Sequence, residues 1–295
     1  MKRTLLFLSI LLGLFTLSIV SCDVIEDPIK DNGNNADCTK TRTDTINPQT
    51  TFPDTVYRNV LVEDFTGHRC KNCPKATKAI KDMKDVMGDD LVVLAIHSGA
   101  STFTAPNPPD YPTDFTTTEG DEIASWFGGV PAQPIGMVNR DDYSQGSISH
   151  FKIYSQWNSI ATPYLSEAAI AELWSMSYVS GTCVIAHAQT TFLEDVTGDY
   201  SIAVYLTEDG IVAPQLLPDD TRDADYVHNN VFRDAFTFAL GESLITGGAT
   251  RMTNVHRSYQ LEINPDWNPN NLKVVTVLFD TDSREVLQVT ECDVE

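Results

Sequence analysis

The segment NVLVEDFTGHRCKNCPKATKAIKDMKDVMGDDLVVLAI, residues 59–96, decides the expected fold of the first half of the chain. Its two ends are apolar runs typical of buried strands. Between them, apolar residues recur at helical spacing: Ala76, Ile80, Met83 and Met87. Pro74 suits the first turn of this helix and Gly88 its end. The segment therefore predicts a β-α-β unit, with Cys70 and Cys73 where the first strand gives way to the helix.

The Cys70-Lys71-Asn72-Cys73 motif is the sharpest chemical feature of the sequence. A cysteine at a helix N-terminus is close to unpaired backbone N–H groups, which stabilise a thiolate. Arg69 and Lys71 add positive charge on either side of Cys70. Cys73, one turn into the helix, can close a disulfide with Cys70. We therefore expect Cys70 to be a solvent-accessible nucleophile and Cys73 the resolving thiol.

Strands and helices continue to alternate as far as residue 173. A helix is predicted at 119–127, a strand at 135–140 and a helix at 149–173, which Pro163 interrupts. This alternation predicts an α/β domain over residues 54–173.

After residue 173 the pattern changes to strands separated by turns, without helices between them. The strand-like segments are 182–192, 200–208, 258–263, 272–279 and 285–294. Such a succession predicts an antiparallel β-sandwich domain over residues 174–295.

The N-terminus has the form of a bacterial lipoprotein export signal. Lys2 and Arg3 precede an uncharged, mostly apolar run that ends in Ile19-Val20-Ser21-Cys22. This order predicts a signal peptide at 1–21, cleaved before Cys22, whose thiol then carries the lipid that anchors the protein to a membrane. The run is shorter than the roughly 20 residues of a spanning helix. Residues 22–53 are polar and predict a flexible tether.

The charge balance excludes one class of partner. The whole chain has a net charge of −21, and removal of Lys2 and Arg3 with the signal makes it −23. So acidic a chain is not expected to bind nucleic acid.

Cysteine usage fits export to a compartment that permits disulfides. Besides Cys22 and the CxxC pair, the chain contains Cys38, Cys183 and Cys292, whose connectivity the sequence leaves open. Cys183 and Cys292 both lie in strand-like segments, so a bond between them is one prediction.

The first half of the chain resembles the thioredoxin superfamily, in which an Asp-Phe pair precedes the CxxC motif. The resemblance implies that Asp64 is the buried aspartate that assists proton transfer at the second cysteine. It also implies a cis-proline before a strand, for which Pro134 fits best and Pro131 second best. The sequence departs from the family at Arg69, where a tryptophan is usual, at the Lys-Asn inner pair and at Pro74, where a basic residue is usual.

A closer resemblance covers nearly the whole mature chain. Four motifs occur in order: EDFTGH (63–68) leading to Cys73-Pro74, PIGMVNR (134–140), EDG (208–210) and YVHNNVFR (226–233). They are similar to those of the twenty-eight-kilodalton outer-membrane lipoprotein family of anaerobic Gram-negative bacteria. That family implies a thioredoxin-like domain followed by a β-rich domain at the outer membrane, without a settled activity. Its members have been discussed as adhesins or receptors.

Two further groups of polar residues have alternative interpretations. One interpretation is a ligand site formed by His228, Asn229 and Arg233. The alternative is that these side chains form a hydrogen-bonded corner in a long crossover, because buried polar side chains need partners. His68 with Cys70 and Cys73 offers an incomplete set of ligands for Cu(I) or Zn(II), and no cofactor is predicted.

These observations leave three functional hypotheses. The first is a thiol–disulfide oxidoreductase that acts on protein thiols or disulfides of the cell envelope, with Cys70, Cys73, Asp64 and Pro134 as its site. The second is a non-enzymatic surface protein that binds a partner. The third is a metal-binding chaperone.

Overall fold

The computed structural model describes residues 55–99, 101–142 and 150–295. The predicted signal peptide, Cys22 and the tether lie outside the described residues. Among those that are described, none of the helices has the length and apolarity needed to span a bilayer.

The first half of the described chain contains three strands and three α-helices. In chain order they are β1 (Val60–Phe65), α1 (Cys73–Met87), β2 (Leu91–Ile96), α2 (Thr118–Trp126), β3 (Ile135–Val138) and α3 (Tyr154–Tyr164). β1 and β2 pair in parallel, so the predicted β-α-β unit is confirmed. The predicted helix at 149–173 is too long at its C-terminal end. Pro163 lies in its last turn, and the chain is extended again from Ala171.

The remaining chain consists of strands. They are β4 (Ala171–Ser180), β5 (Cys183–Phe192), β6 (Tyr200–Glu208), β7 (Ile211–Val212), β8 (Gln215–Leu216), β9 (Arg222–Asp223), β10 (Val227–His228), β11 (Val231–Ala235), β12 (Glu242–Ile245), β13 (Asn254–Glu262), β14 (Leu272–Asp280) and β15 (Val286–Asp293). Two 3-10 turns lie at Gly88–Asp90 and Pro269–Asn271.

One mixed sheet runs through both halves of the chain. Its strand order is β15-β14-β6-β11-β2-β1-β3, and β12 pairs with β6. The join is between β11 and β2, where Val231 lies opposite Ala95 and the Ala95 N–H donates to the Asn230 carbonyl at 2.8 Å. The sequence did not indicate this join. The predicted boundary between residues 173 and 174 remains a prediction.

Helices cover one face of the large sheet in its first half, and a second sheet covers one face in its other half. Under β1, β2 and β3, apolar residues of α1 and α3 fill the core, among them Ile80, Met83 and Trp157. Under β6 and β14 the cover is a three-stranded antiparallel sheet of order β13-β5-β4, with Phe192 and Tyr259 in the core. The C-terminal half is thus β-rich, with antiparallel sheets packed face to face.

A buried ion pair lies where the two halves meet. Arg140, which follows β3, donates to Glu63 of β1 at 2.7 Å, and both side chains are fully buried. Arg140 also donates to the Tyr205 hydroxyl of β6 at 3.1 Å. Burial opposes the charge of Arg140, but attraction from Glu63 outweighs it and raises the pKa of Arg140.

The predicted Cys183–Cys292 bond is wrong. Cys183 takes part in a disulfide, whereas Cys292 is a free thiol near the end of β15. The strand-like character of both segments was insufficient to predict the bond, because pairing depends on the distance between Cα atoms and not on local structure.

We expect Cys292 to react slowly with thiol reagents. Burial raises its pKa to about 11. Since the thiolate is the reactive form, alkylation by iodoacetamide at pH 7.5 should be on the order of a hundredfold slower in the folded than in the urea-unfolded protein. Equal rates, followed by peptide mass spectrometry, would contradict the burial of this thiol.

Candidate functional site around Cys70 and Cys73

Cys70 and Cys73 form a disulfide at the start of α1. Their Cα atoms are 5.4 Å apart. The Cys73 N–H donates to the Cys70 carbonyl at 3.1 Å, and the Cys70 N–H donates to the Gly67 carbonyl at 3.0 Å. Pro74 lies in the first turn, where its missing N–H leaves no bond unmade. The disulfide therefore lies at the helix N-terminus, as the sequence predicted.

The expected solvent access of Cys70 is wrong for this oxidised form. Cys70 and Cys73 are each only 2% exposed. Two segments distant in sequence pack against the turn before α1, and local pattern alone did not indicate either of them.

The first segment is the loop around Phe103. The Arg69 N–H donates to the Phe103 carbonyl at 2.9 Å, and the Arg69 guanidinium donates to the Ala105 carbonyl at 3.1 Å. A Cβ atom on Gly67 would lie 2.5 Å from the Phe103 carbonyl oxygen. A glycine at this position thus allows the loop to approach the turn closely.

The second segment is a short hairpin of β8 and β9, residues 215–223, here called the cover hairpin. The Leu216 N–H donates to the His68 carbonyl at 2.8 Å. The buried Gln215 amide donates to the Cys70 carbonyl at 3.2 Å and to the Gly67 carbonyl at 3.4 Å. Lys71, expected to act on Cys70, forms an exposed ion pair with Asp220 at 2.9 Å.

Asp64 is buried near the end of β1, at 2% exposure. Among the described residues it has no counter-ion, and its Oδ1 atom has no hydrogen-bond partner. Burial raises the pKa of Asp64 to about 8, so the carboxyl group is mostly protonated at neutral pH. This is the state in which a carboxyl group can donate a proton.

Asp64 lines a cavity of about 250 Å³ beside α1. Gln215 and Thr77 also line it, and they donate to the carbonyls of Cys70 and Cys73, at 3.2 and 3.4 Å. His97, Tyr226, His228 and Asn229 complete much of its polar wall. The sequence predicted roles for Asp64 and His228 separately but did not predict that they share a cavity.

The residues proposed as a polar ligand site have partners within their own crossover. His228 Nε2 lies 3.2 Å from the Ala213 carbonyl, and the Asn229 side chain accepts from the Gly210 N–H at 2.9 Å. Arg233 pairs with Glu208 at 2.8 Å. These contacts correspond to the hydrogen-bonded corner that the sequence offered as the alternative.

Three neutral histidines surround Phe115. The ring centroids of His68, His97 and His228 lie 5.7, 4.8 and 4.9 Å from that of Phe115. Burial lowers the pKa of His68 and of His228 to about 4, and that of His97 well below its ordinary value. Within the ranges that the structure describes, no three His, Cys, Asp or Glu side chains are grouped closely enough to hold a metal ion.

Pro134 directly follows Gln133, which lines a second, larger groove. The Gln133–Pro134 peptide bond is cis, and the Gln133 amide donates to the Thr66 carbonyl at 3.0 Å. The groove has a volume of about 710 Å³ and is lined by Phe103, by the end of α2 and by residues 128–133. Phe103 is 41% exposed, so the groove presents an apolar side chain to solvent.

A family model for the outer membrane protein Omp28 matches residues 123–295, more than half of the chain. The chain belongs to the Omp28 family. A search of curated proteins found no match. Among solved structures, HBP35 of Porphyromonas gingivalis is similar at 13% identity and a TM-score of 0.60, over 81% of this chain and 76% of that one. A domain of the outer membrane lipoprotein Omp28 from the same organism has 16% identity and a TM-score of 0.31, over 43% and 89%.

The family match confirms the resemblance to the outer-membrane family and the location at the outer membrane. At 13% identity, the likeness to HBP35 indicates a shared fold and nothing about activity. The match to the Omp28 family begins at Ile123 and therefore excludes Cys70 and Cys73.

Proposed function

We propose that this Omp28-family protein carries out thiol–disulfide exchange at Cys70 and Cys73 in the cell envelope. The observation that supports the proposal most is the disulfide at the N-terminus of α1, whose two carbonyls are bonded by side chains of the cavity that contains the buried Asp64. A disulfide between cysteines separated by two residues closes a very short loop, so it stabilises the fold little by restricting the unfolded chain. This argues against a purely structural role.

The exchange proceeds in two balanced steps. In the reduced protein the Cys70 thiolate attacks one sulfur of a substrate disulfide, and the other substrate sulfur leaves as a thiolate and takes up a proton. Cys73 then loses its proton and attacks the Cys70 sulfur, which releases the second substrate thiol. The substrate gains two electrons, and Cys70–Cys73 returns to the disulfide seen here. With a dithiol substrate, the same steps run in reverse.

The surrounding residues assist these steps in distinct ways. Cys70 lies just before α1, where the positive end of the helix dipole favours its thiolate. The deprotonated form of Asp64 accepts the proton of Cys73 in the second step, since its pKa of about 8 is close to that of a thiol. The groove beside Pro134 offers an extended peptide an apolar contact at Phe103.

The location of the exchange follows from the lipid anchor that the sequence predicts. Lipid on Cys22 would hold the protein at the outer membrane, and the polar tether 22–53 would allow the folded part to reach envelope proteins. The partners are then protein thiols or disulfides of the same compartment.

A mixed-disulfide trap tests the proposal. In Cys73→Ser the second step is blocked, so Cys70 should remain bonded to its partner. We expect non-reducing gels of membranes from cells expressing this variant, in a Cys292→Ser background, to show adducts that dithiothreitol removes. The control Cys70→Ser/Cys73→Ser should show none. Equal gel patterns for the two variants would contradict the proposal.

A second candidate function is a surface protein that binds a partner without chemistry. The observation in its favour is the burial of both cysteines, each 2% exposed. In that case the disulfide would remain oxidised in cells and Cys70→Ser would leave partner binding unchanged.

A further inference from the structure

We propose that the cover hairpin is a strap that closes over the Cys70–Cys73 disulfide and must lift before exchange occurs. This inference deepens the proposed function, because it names how access to the same site is controlled. It rests on the contacts of the hairpin with the disulfide turn and on the burial of both cysteines.

The hairpin binds the disulfide turn from end to end. The Leu216 N–H bonds the residue two positions before Cys70, and Gln215 bonds the carbonyl of Cys70 itself. At the hairpin tip, Asp220 pairs with Lys71, the residue immediately after Cys70. The strap therefore contacts the residues on both sides of Cys70 in the sequence.

The strap can move without unfolding the sheet. β8 and β9 are each two residues long, and among the described strands they pair only with each other. An isolated two-stranded hairpin is marginally stable, and segments held by few contacts open at low free energy. The Lys71–Asp220 pair is solvent-exposed, with side chains 50% and 69% accessible, so it contributes weakly to closure. The buried Gln215 amide is the stronger latch.

The test measures how fast dithiothreitol reduces the disulfide in the folded full-length protein. When the hairpin opens and closes quickly and is rarely open, the reduction rate is proportional to the fraction of molecules in which the hairpin is open. We expect Gln215→Ala to raise the rate about tenfold, because it removes the buried hydrogen bonds. Asp220→Asn should raise it by up to about fivefold. Asparagine suits position 220, where φ is +64°.

Matched controls separate the strap from general electrostatics. Lys75→Gln removes a similar charge from α1. The Lys75 ammonium donates to Asn72 and forms no described ion pair or hydrogen bond with the hairpin, so the rate should stay at the wild-type value. In Lys71→Gln/Asp220→Asn, the Asp220→Asn change should add no acceleration to that of Lys71→Gln alone, because the ion pair is already broken. Unfolding curves of each variant exclude global destabilisation as the cause.

The outcomes distinguish this inference from the proposed function. Faster reduction in Gln215→Ala and Asp220→Asn supports the strap even if no envelope protein is trapped by Cys73→Ser. Wild-type rates in both variants overturn the strap, as does a wild-type rate equal to that of the urea-unfolded chain, even if trapping succeeds.

Discussion

Glu63→Gln is expected to lower the free energy of unfolding by about 3–5 kcal/mol, the usual cost of removing one partner from a buried ion pair. Arg140 is fully buried and remains charged at every accessible pH. Without the Glu63 carboxylate the charge of Arg140 loses the anion it pairs with, and the other described side chain that accepts a hydrogen bond from it is the neutral Tyr205 hydroxyl. Urea unfolding at pH 7, followed by far-UV circular dichroism, measures the loss.

The control for this prediction removes both charges. Glu63→Leu/Arg140→Met replaces the pair by apolar side chains of similar size, and such exchanges are often neutral or stabilising. We expect the double variant to recover most of the stability lost in Glu63→Gln. A loss below about 1 kcal/mol in the single variant would mean that the pair is not desolvated as described.

Asp64→Asn is expected to remove a strong pH dependence of stability. The folded pKa of Asp64, about 8, exceeds the ordinary value of 3.8. The stability due to its bound proton is therefore complete below pH 3.8 and is lost as the pH rises towards 8. The wild type should lose on the order of 4 kcal/mol relative to Asp64→Asn between pH 4 and pH 8, at about 1.4 kcal/mol per pH unit.

The comparison across pH isolates Asp64 from any constant cost of the asparagine side chain. Urea unfolding of both oxidised proteins at pH 4, 6 and 8 gives the difference directly. The variant should also resolve mixed disulfides at least about tenfold more slowly, since it lacks the acid–base group. A pH-independent difference would show that Asp64 ionises normally and has no special role.

The first half of the fold was predictable because its signals are local. The helix stripe at Ala76, Ile80, Met83 and Met87 is buried, and α1 ends at Met87, just before Gly88. The strand that follows Pro134 begins at Ile135. Periodicity and turn residues are read within one element, so they are sufficient for these assignments.

The contacts that bury the disulfide were not predictable, because they join residues that are distant in sequence. The cover hairpin is two short strands around Leu217-Pro218-Asp219-Asp220, a composition that reads as a loop. Its contact with Cys70 spans 145 positions. Likewise, Glu63 stands in a mostly apolar strand, and its partner Arg140 lies 77 positions away. Only the folded chain brings these residues together.

The most direct measurement is the redox equilibrium of Cys70–Cys73 in the folded protein. The full-length chain is equilibrated with dithiothreitol buffers and alkylated under native conditions, while circular dichroism reports the fold. We expect reversible reduction with the fold retained and a potential above about −300 mV, outside the range of structural disulfides. The proposal would be contradicted if the disulfide were reduced only when the protein unfolds, or if its potential were below that value. Either result would mean that Cys70–Cys73 is a structural disulfide.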